Sequence, residues 1–235
     1  MPKSHLTAPF TQGSLLYYPH TFVGNFFQKV PHEKRIPEKG VLQMKLILSS
    51  CDFRNEKSQN VILTNLPKPI GECRLLFIPN EKATAEAIQS EKFYRRMQEF
   101  GFARENTIVF DYYNPSPYFS LNIDVLYISG GNTLKTLDRI RKSGFDKEIV
   151  RYIQSGVTYI GGSAGAHIVT QDVSHVTRYD EAPEDMTDFS GLGLFDGILI
   201  CHFTPERQAH YEQLLQESQY KVYTLSDEDL IVITE

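Results

Sequence analysis

The sequence predicts an α/β fold in three layers: a mostly parallel sheet with helices on both faces. Three observations predict it. From Met44 onward, short apolar runs alternate with segments of helical period. Glycines close several of the helical segments, as helix ends require. Small-residue turns then carry strand into helix at 129–133 and 161–165. Alternation of this kind places parallel strands side by side with their crossover helices above and below.

The elements follow in order. Residues 1–43 carry Pro2, Pro9, Pro19, Pro31 and Pro37 among aromatics such as Tyr17, Tyr18, Phe22, Phe26 and Phe27, with no sustained period. They are expected to be an N-terminal arm or an upstream extension of the reading frame. The α/β domain is expected over 44–235, opening on the strand 44–49. Further strands are predicted at 73–79, 107–111, 123–129, 157–161, 197–203, 221–225 and 230–234. Helices are predicted near 55–64, 81–100, 133–143, 146–155, 164–170 and 205–218. The helix ending at Phe100 carries Phe93, Met97 and Phe100 on one face, with Gly101 as its stop. The helix after Asn132 buries Leu134, Leu137 and Ile140. The next has Asp146 as its expected cap and Ile149, Val150 and Ile153 as its apolar face.

Composition narrows the function. A chain of 235 residues with 41% hydrophobic and 23% charged residues can bury a sizeable core. A net charge of −5 without a basic block argues against nucleic acid and anionic membrane as partners. No apolar run approaches the roughly 20 residues a membrane span needs, and the N-terminus lacks a signal-peptide core. Cys51, Cys73 and Cys201 are scattered, with no paired spacing. Reduced thiols in a cytoplasmic protein, with no metal site, are the simplest expectation. The phosphate-binding patterns G-x-x-x-x-G-K-[ST] and G-x-G-x-x-G are absent, so no nucleotide cofactor is expected.

Sheets of this type carry their working residues at the carboxyl ends of the strands. After the strand 157–161 the chain reads Gly161-Gly162-Ser163-Ala164-Gly165-Ala166, a G-x-S-x-G turn between strand and helix. A nucleophile on so sharp a turn needs small neighbours, and the following helix aims its first amides at the reacting atom. Without chemistry, the same glycines would only let strand and helix pack closely. Upstream, Ser129-Gly130-Gly131-Asn132-Thr133 is a second strand-to-helix turn, whose amide at Gly131 could serve an oxyanion. A serine needs a base, and histidine suits neutral pH. His202 sits at a strand end before Thr204-Pro205, a helix start. His167, four residues past Ser163, is expected in the packing layer. His210, inside a helix, is expected at the surface, and His175 stays open as an alternative base. The orienting acid is sought in the acid-rich stretch Asp172, Asp180, Glu181, Glu184, Asp185 and Asp188.

The segments Ser-Gly-Gly-Asn-Thr at 129–133, Tyr-Ile-Gly-Gly-Ser-Ala-Gly-Ala at 159–166 and His-Phe-Thr at 202–204 resemble peptidase E and the related cyanophycinases. The resemblance covers about residues 44–235. It implies a fold like class I glutamine amidotransferases, flavodoxin-like, with serine in place of their cysteine. It further implies Ser163 as nucleophile and His202 as base, with the amides of Gly131 and Ala164 as oxyanion hole. Asp180 would be the acid, with Glu181 as alternative. Asn132, Thr133 and Arg207 would bind substrate, Arg207 holding an acidic side chain as in cleavage of Asp-X dipeptides. Two departures touch specificity: Pro205 follows only three residues after His202, and Cys201 precedes it.

The expected function is therefore a serine peptidase that hydrolyses short peptides through an acyl-enzyme, with a small peptide as partner and no cofactor. A homo-oligomer is compatible with the sequence. The competing readings are a non-catalytic module that holds a carboxylate at the helix N-terminus, and an esterase or amidase acting on non-peptide substrates.

Overall fold

The computed structural model describes residues 43–235. The expected arm, residues 1–43, lies outside the described residues except for Gln43. Eight strands are present there: β1 (Lys45–Ser49), β2 (Leu75–Ile78), β3 (Thr107–Val109), β4 (Val125–Ile128), β5 (Thr158–Gly162), β6 (Ile198–Ile200), β7 (Val222–Thr224) and β8 (Leu230–Thr234). Between them run α1 (Glu56–Asn65), α2 (Ala85–Gln89), α3 (Lys92–Phe100), α4 (Thr133–Lys142), α5 (Asp146–Gln154), α6 (Ala164–Ile168) and α7 (Gln208–Glu217).

Six strands form the main sheet in the order β3-β2-β4-β5-β1-β8. All neighbours are parallel except β8, which runs antiparallel to β1 at one edge. The central strands explain the layering. Every residue of Leu75–Ile78 and of Val125–Ile128 is buried, which needs cover on both faces and so favours unbroken apolar runs over alternation. The edge strand β8 is only half-buried along most of its length. In α4, Asn132 caps the first turn by accepting from the Lys135 amide at 2.8 Å. Leu134, Leu137 and Ile140 face the core, and Arg139, Arg141 and Lys142 meet the negative end of the helix dipole.

Several expectations change. The helix expected over 81–100 is two, α2 and α3, because Ser90 interrupts it. Its hydroxyl donates to the Ala87 carbonyl at 2.8 Å and accepts from the Lys92 amide at 3.3 Å, bonds that compete with the helical ladder. Asp146 is the first residue of α5 rather than its cap, and acts there by first-turn charge. The strand expected over 197–203 stops at Ile200 and pairs with β7 in a separate two-stranded parallel sheet. Beyond it His202 leaves the extended conformation, at φ 53°. Among the described residues, no helix is long and apolar enough to cross a membrane.

Candidate active site

Ser163 stands between the buried end of β5 and the start of α6, at φ 49° and ψ −101°. Positive φ is costly for a residue with a side chain and persists only where the surroundings enforce it. They do so here. The Ser163 amide donates to the Ser49 carbonyl at 2.7 Å, and its own carbonyl accepts from the His167 amide at 3.0 Å. The glycines are required by contact. A β-carbon on Gly162 would lie 2.1 Å from a carboxylate oxygen of buried Asp52, and one on Gly165 would lie 2.2 Å from the Ile128 carbonyl. The motif is thus a backbone packed against β1 and β4, and the serine hydroxyl is the part left facing outward.

His202 reaches that hydroxyl from a different segment. Its Nε2 lies 2.8 Å from Ser163 Oγ, and its Nδ1 lies 2.5 Å from Asp227 Oδ1. Asp227 sits in the turn between β7 and β8, where Ser226 and Asp229 hydrogen-bond to one another. One buried serine ties these loops together. Ser50 Oγ donates to the Leu225 carbonyl at 2.9 Å and accepts from the His202 amide at 3.1 Å. The hydrogen bond from His202 holds the Asp227 carboxyl below its ordinary pKa, with help from the Cys51 thiol, against the opposing effect of partial burial. Asp227 is therefore ionised at neutral pH and favours the imidazole tautomer with its proton on Nδ1. Nε2 is then free to accept the serine proton.

The other expected site residues are placed as follows. Ala164 opens α6, so its amide is among those that a helix leaves without an intrahelical acceptor. Gly131 lies beside the Asn80 side chain, which donates to the Gly130 carbonyl at 2.8 Å. Asp180 is not on the imidazole: its carboxylate accepts from the Thr133 amide at 2.7 Å, at the start of α4. Glu181 pairs with Lys135, and its carbonyl accepts from Asn132 Nδ2 at 2.9 Å. These two residues brace the glycine turn, which commits both to structure. Asn132 and Thr133, expected to bind substrate, are likewise occupied. The Asn132 side chain caps α4, and Thr133 Oγ1 lies 3.2 Å from buried His167 Nδ1. Arg207 donates to the Cys201 carbonyl and stacks over Tyr179, with its guanidinium carbon 4.1 Å from the ring centroid.

His210, expected at the surface, is buried and bonded to the Tyr179 hydroxyl at 2.8 Å. It ends a row of imidazoles with His175 and His167, whose successive ring centroids are 5.5 and 5.9 Å apart. His175, the open alternative as base, packs against those rings, and nothing brings it to Ser163.

Sequence reasoning missed Asp227, Ser50 and Arg54. Asp227 follows the strand expected at 221–225, so the strand-end rule that nominated His202 also covered it. Arg54 has a mixed position: its Nε pairs with Asp52 at 3.2 Å while its side chain is half exposed. A β-carbon on Gly130 would lie 3.3 Å from Ser163 Cβ and 3.6 Å from Arg54 Nη2, so the guanidinium and the nucleophile flank one spot.

A family model described as peptidase family S51 matches residues 45–235. An uncharacterized peptidase of Listeria monocytogenes is 29% identical over 115 residues, covering 47% of this chain and 56% of its own length. An uncharacterized peptidase of Pasteurella multocida is 37% identical over 84 residues, covering 34% of this chain and 40% of its own. A protein named peptidase E from Citrobacter koseri is 36% identical over 81 residues, covering 34% of each chain. The chain thus spans about half, or less, of the length of these curated relatives. A solved peptidase E-type structure from Listeria monocytogenes superposes with a TM-score of 0.63 at 21% identity, over 82% of this chain and 98% of that one. A peptidase from an acI-B1 actinobacterium gives 0.53 at 17% identity, over 82% and 84%. At these identities the two structures speak for the three-layer fold alone.

Proposed function

This chain belongs to peptidase family S51, and on that premise we propose that it is a serine peptidase acting on short peptides, with Ser163 as nucleophile, His202 as general base and Asp227 as the acid that orients the imidazole. The observation that carries this reading is the unbroken line from Ser163 Oγ to His202 Nε2 at 2.8 Å and from His202 Nδ1 to Asp227 Oδ1 at 2.5 Å. His202 takes the serine proton as the oxygen attacks the scissile carbonyl. It returns that proton to the leaving amine, and water then releases the acyl group by the same route. The amides of Gly131 and Ala164 would receive the oxyanion, where loss of one donor typically costs about 10²–10³ in rate. A carboxylate-binding module would not need a histidine–aspartate pair aligned on the serine, so the geometry favours catalysis over simple binding.

Substrates of the Asp-X dipeptide type are the finer part of the proposal. Arg54 beside the nucleophile supports it, because an exposed guanidinium suits an acidic substrate. Arg207 supports it less, since its guanidinium is engaged by Cys201 and Tyr179. The three free thiols suit a reducing, cytoplasmic setting.

Labelling with a fluorophosphonate, followed by assay against Asp-X dipeptides, β-aspartyl peptides and simple esters, tests the reading. Wild type is expected to label at Ser163 and to hydrolyse a dipeptide. Ser163→Ala is expected to do neither while keeping its fold by circular dichroism. Equal hydrolysis by Ser163→Ala would overturn the assignment, and turnover of esters alone would move the protein to the esterase reading.

A further inference from the structure

We propose that Cys51, His202 and Asp227 form a zinc site, and that zinc bound there silences Ser163. The cysteine sulfur, a ring nitrogen and a carboxylate oxygen lie within 4.8 Å of one another. They arrive on three loops, after β1, β6 and β7, which is why cysteine spacing gave no sign of a metal cluster. Their meeting is built into the fold. Ser50, fully buried, bonds both the His202 amide and the Leu225 carbonyl, and Cys51 is its neighbour in the chain.

The donor set selects the ion. Thiolate, imidazole and carboxylate together are zinc ligands, bound at about 2.3, 2.0–2.1 and 2.0–2.2 Å. Magnesium and calcium favour all-oxygen shells and are poorly served by sulfur and nitrogen. Three protein ligands leave a fourth position for water. Asp227 is exposed and Cys51 partly so, which gives the ion a direct entry from solvent.

The silencing follows from proton positions, and this half of the proposal rests on the reading of His202 as base. In the resting site Nδ1 carries the proton toward Asp227, and Nε2 accepts from the serine. Zinc takes the Nδ1 lone pair, and the ring proton moves to Nε2. The Cys51 thiol releases its own proton to solvent. Nε2 then donates toward Ser163 Oγ and can no longer accept from it, while the ion also takes the Asp227 carboxylate. The nucleophile keeps its proton.

Cobalt titration of the full chain tests binding without reference to activity, because cobalt in a zinc site with a thiolate ligand shows sulfur-to-metal charge-transfer absorption. The band is expected in wild type and absent from Cys51→Ser and Cys51→Ala. Buffered zinc is then expected to block fluorophosphonate labelling of wild type, with recovery on chelation. In the two Cys51 variants, each read against its own zinc-free rate, the zinc needed for half-inhibition should rise roughly tenfold or more, the lower end of the scale on which even outer-shell partners change metal affinity. A band that persists in both variants, or equal zinc sensitivity in all three proteins, overturns the site. A Cys51-dependent band in a protein whose Ser163 never labels overturns the peptidase reading and the silencing with it, and leaves the metal site standing. Labelling and hydrolysis without any Cys51-dependent band overturn the metal site alone.

Discussion

The two groups that hold His202 between them are fixed in opposite ways. Ser163 sits on a turn walled by the buried Asp52 carboxylate and the Ile128 backbone, which hypothetical β-carbons at Gly162 and Gly165 would meet at 2.1 and 2.2 Å. Asp227 hangs from a polar turn with its side chain 63% exposed. Close packing leaves the serine a single position, whereas the aspartate is located by a few hydrogen bonds that water competes for. Damage to the packed glycines around the serine should therefore register as loss of fold together with function. Damage on the aspartate side should register as loss of function alone.

After loss of Ser163 itself, the largest effect expected is at Asp227. In Asp227→Asn the amide can no longer accept from Nδ1 as an anion, and the tautomer with its proton on Nε2 becomes competitive. A drop in kcat of up to about 10⁴ is expected, as for loss of the orienting carboxylate in other serine triads. Thermal stability should stay within about 0.5 kcal/mol of wild type, as for most exposed sites. Steady-state kinetics beside a melting curve checks both, and a large fall in melting temperature would erase the contrast. Gly162→Ala sharpens it from the other side. The added methyl would press on Asp52, which is fully buried and accepts from the Tyr127 hydroxyl at 2.8 Å. Overpacking of this kind costs about 1–3 kcal/mol, and more where a buried carboxylate is displaced. Lower stability and lost activity are expected together.

The same contrast decides what was legible. The serine turn was readable because its chemistry is local: the glycines, the preceding apolar strand and the following helix all lie within a few residues. His202 was readable because it lies at the end of the predicted strand 197–203, although β6 itself stops at Ile200. Asp227 also follows a predicted strand, but that position alone does not single it out, because Ser226-Asp227-Glu228-Asp229 has the composition of any solvated turn and its place beside His202 exists only once β7 lies beside β6. The acid-rich stretch 172–188 drew attention instead, and there the resemblance nominated Asp180. The layered sheet was legible from continuous apolar runs. The separation of β6 and β7 into their own pair was not, since an isolated run carries no record of its neighbour. Nor was the burial of His210, because helix α7 gives no strong apolar face to rank it on.

Acid should loosen the serine side first, through the imidazoles packed beneath it. His175 has both ring nitrogens buried with no hydrogen-bond partner among the described residues. Burial, and then the neighbouring His210, lower its pKa from 6.5 to about 4. Burial drives His167 well below its ordinary value and lowers His210 as well. The unfolded chain therefore binds more protons than the folded one in this range. The stability from neutral His175 is complete above about pH 6.5 and is lost as pH falls toward about 4, on the order of 3 kcal/mol. Unfolding followed by denaturant between pH 7.5 and 4 should show this decline. His175→Phe should flatten it and leave stability at pH 7.5 equal or slightly higher, because an apolar ring replaces a polar one left unpaired. An unchanged slope in the variant would mean that the acid sensitivity arises elsewhere.

The smallest effect is expected at Asp180, and it separates the two candidate acids. Its carboxylate accepts the Thr133 amide at the start of α4, where the helix dipole also favours a negative charge. Asp180→Ala removes a capping interaction worth about 1 kcal/mol, and Asn132 still caps the same turn through Lys135. The glycine turn that carries Gly131 would relax slightly, so a fall in kcat of no more than about tenfold is expected, well below the loss of an oxyanion donor. The pH dependence of kcat should keep its wild-type shape, because Asp227 still sets the tautomer of His202. If Asp180→Ala instead lost as much rate as Asp227→Asn, the carboxylate at the start of α4 would have to reach the imidazole during turnover. The exposed turn between β7 and β8 would then be a bystander.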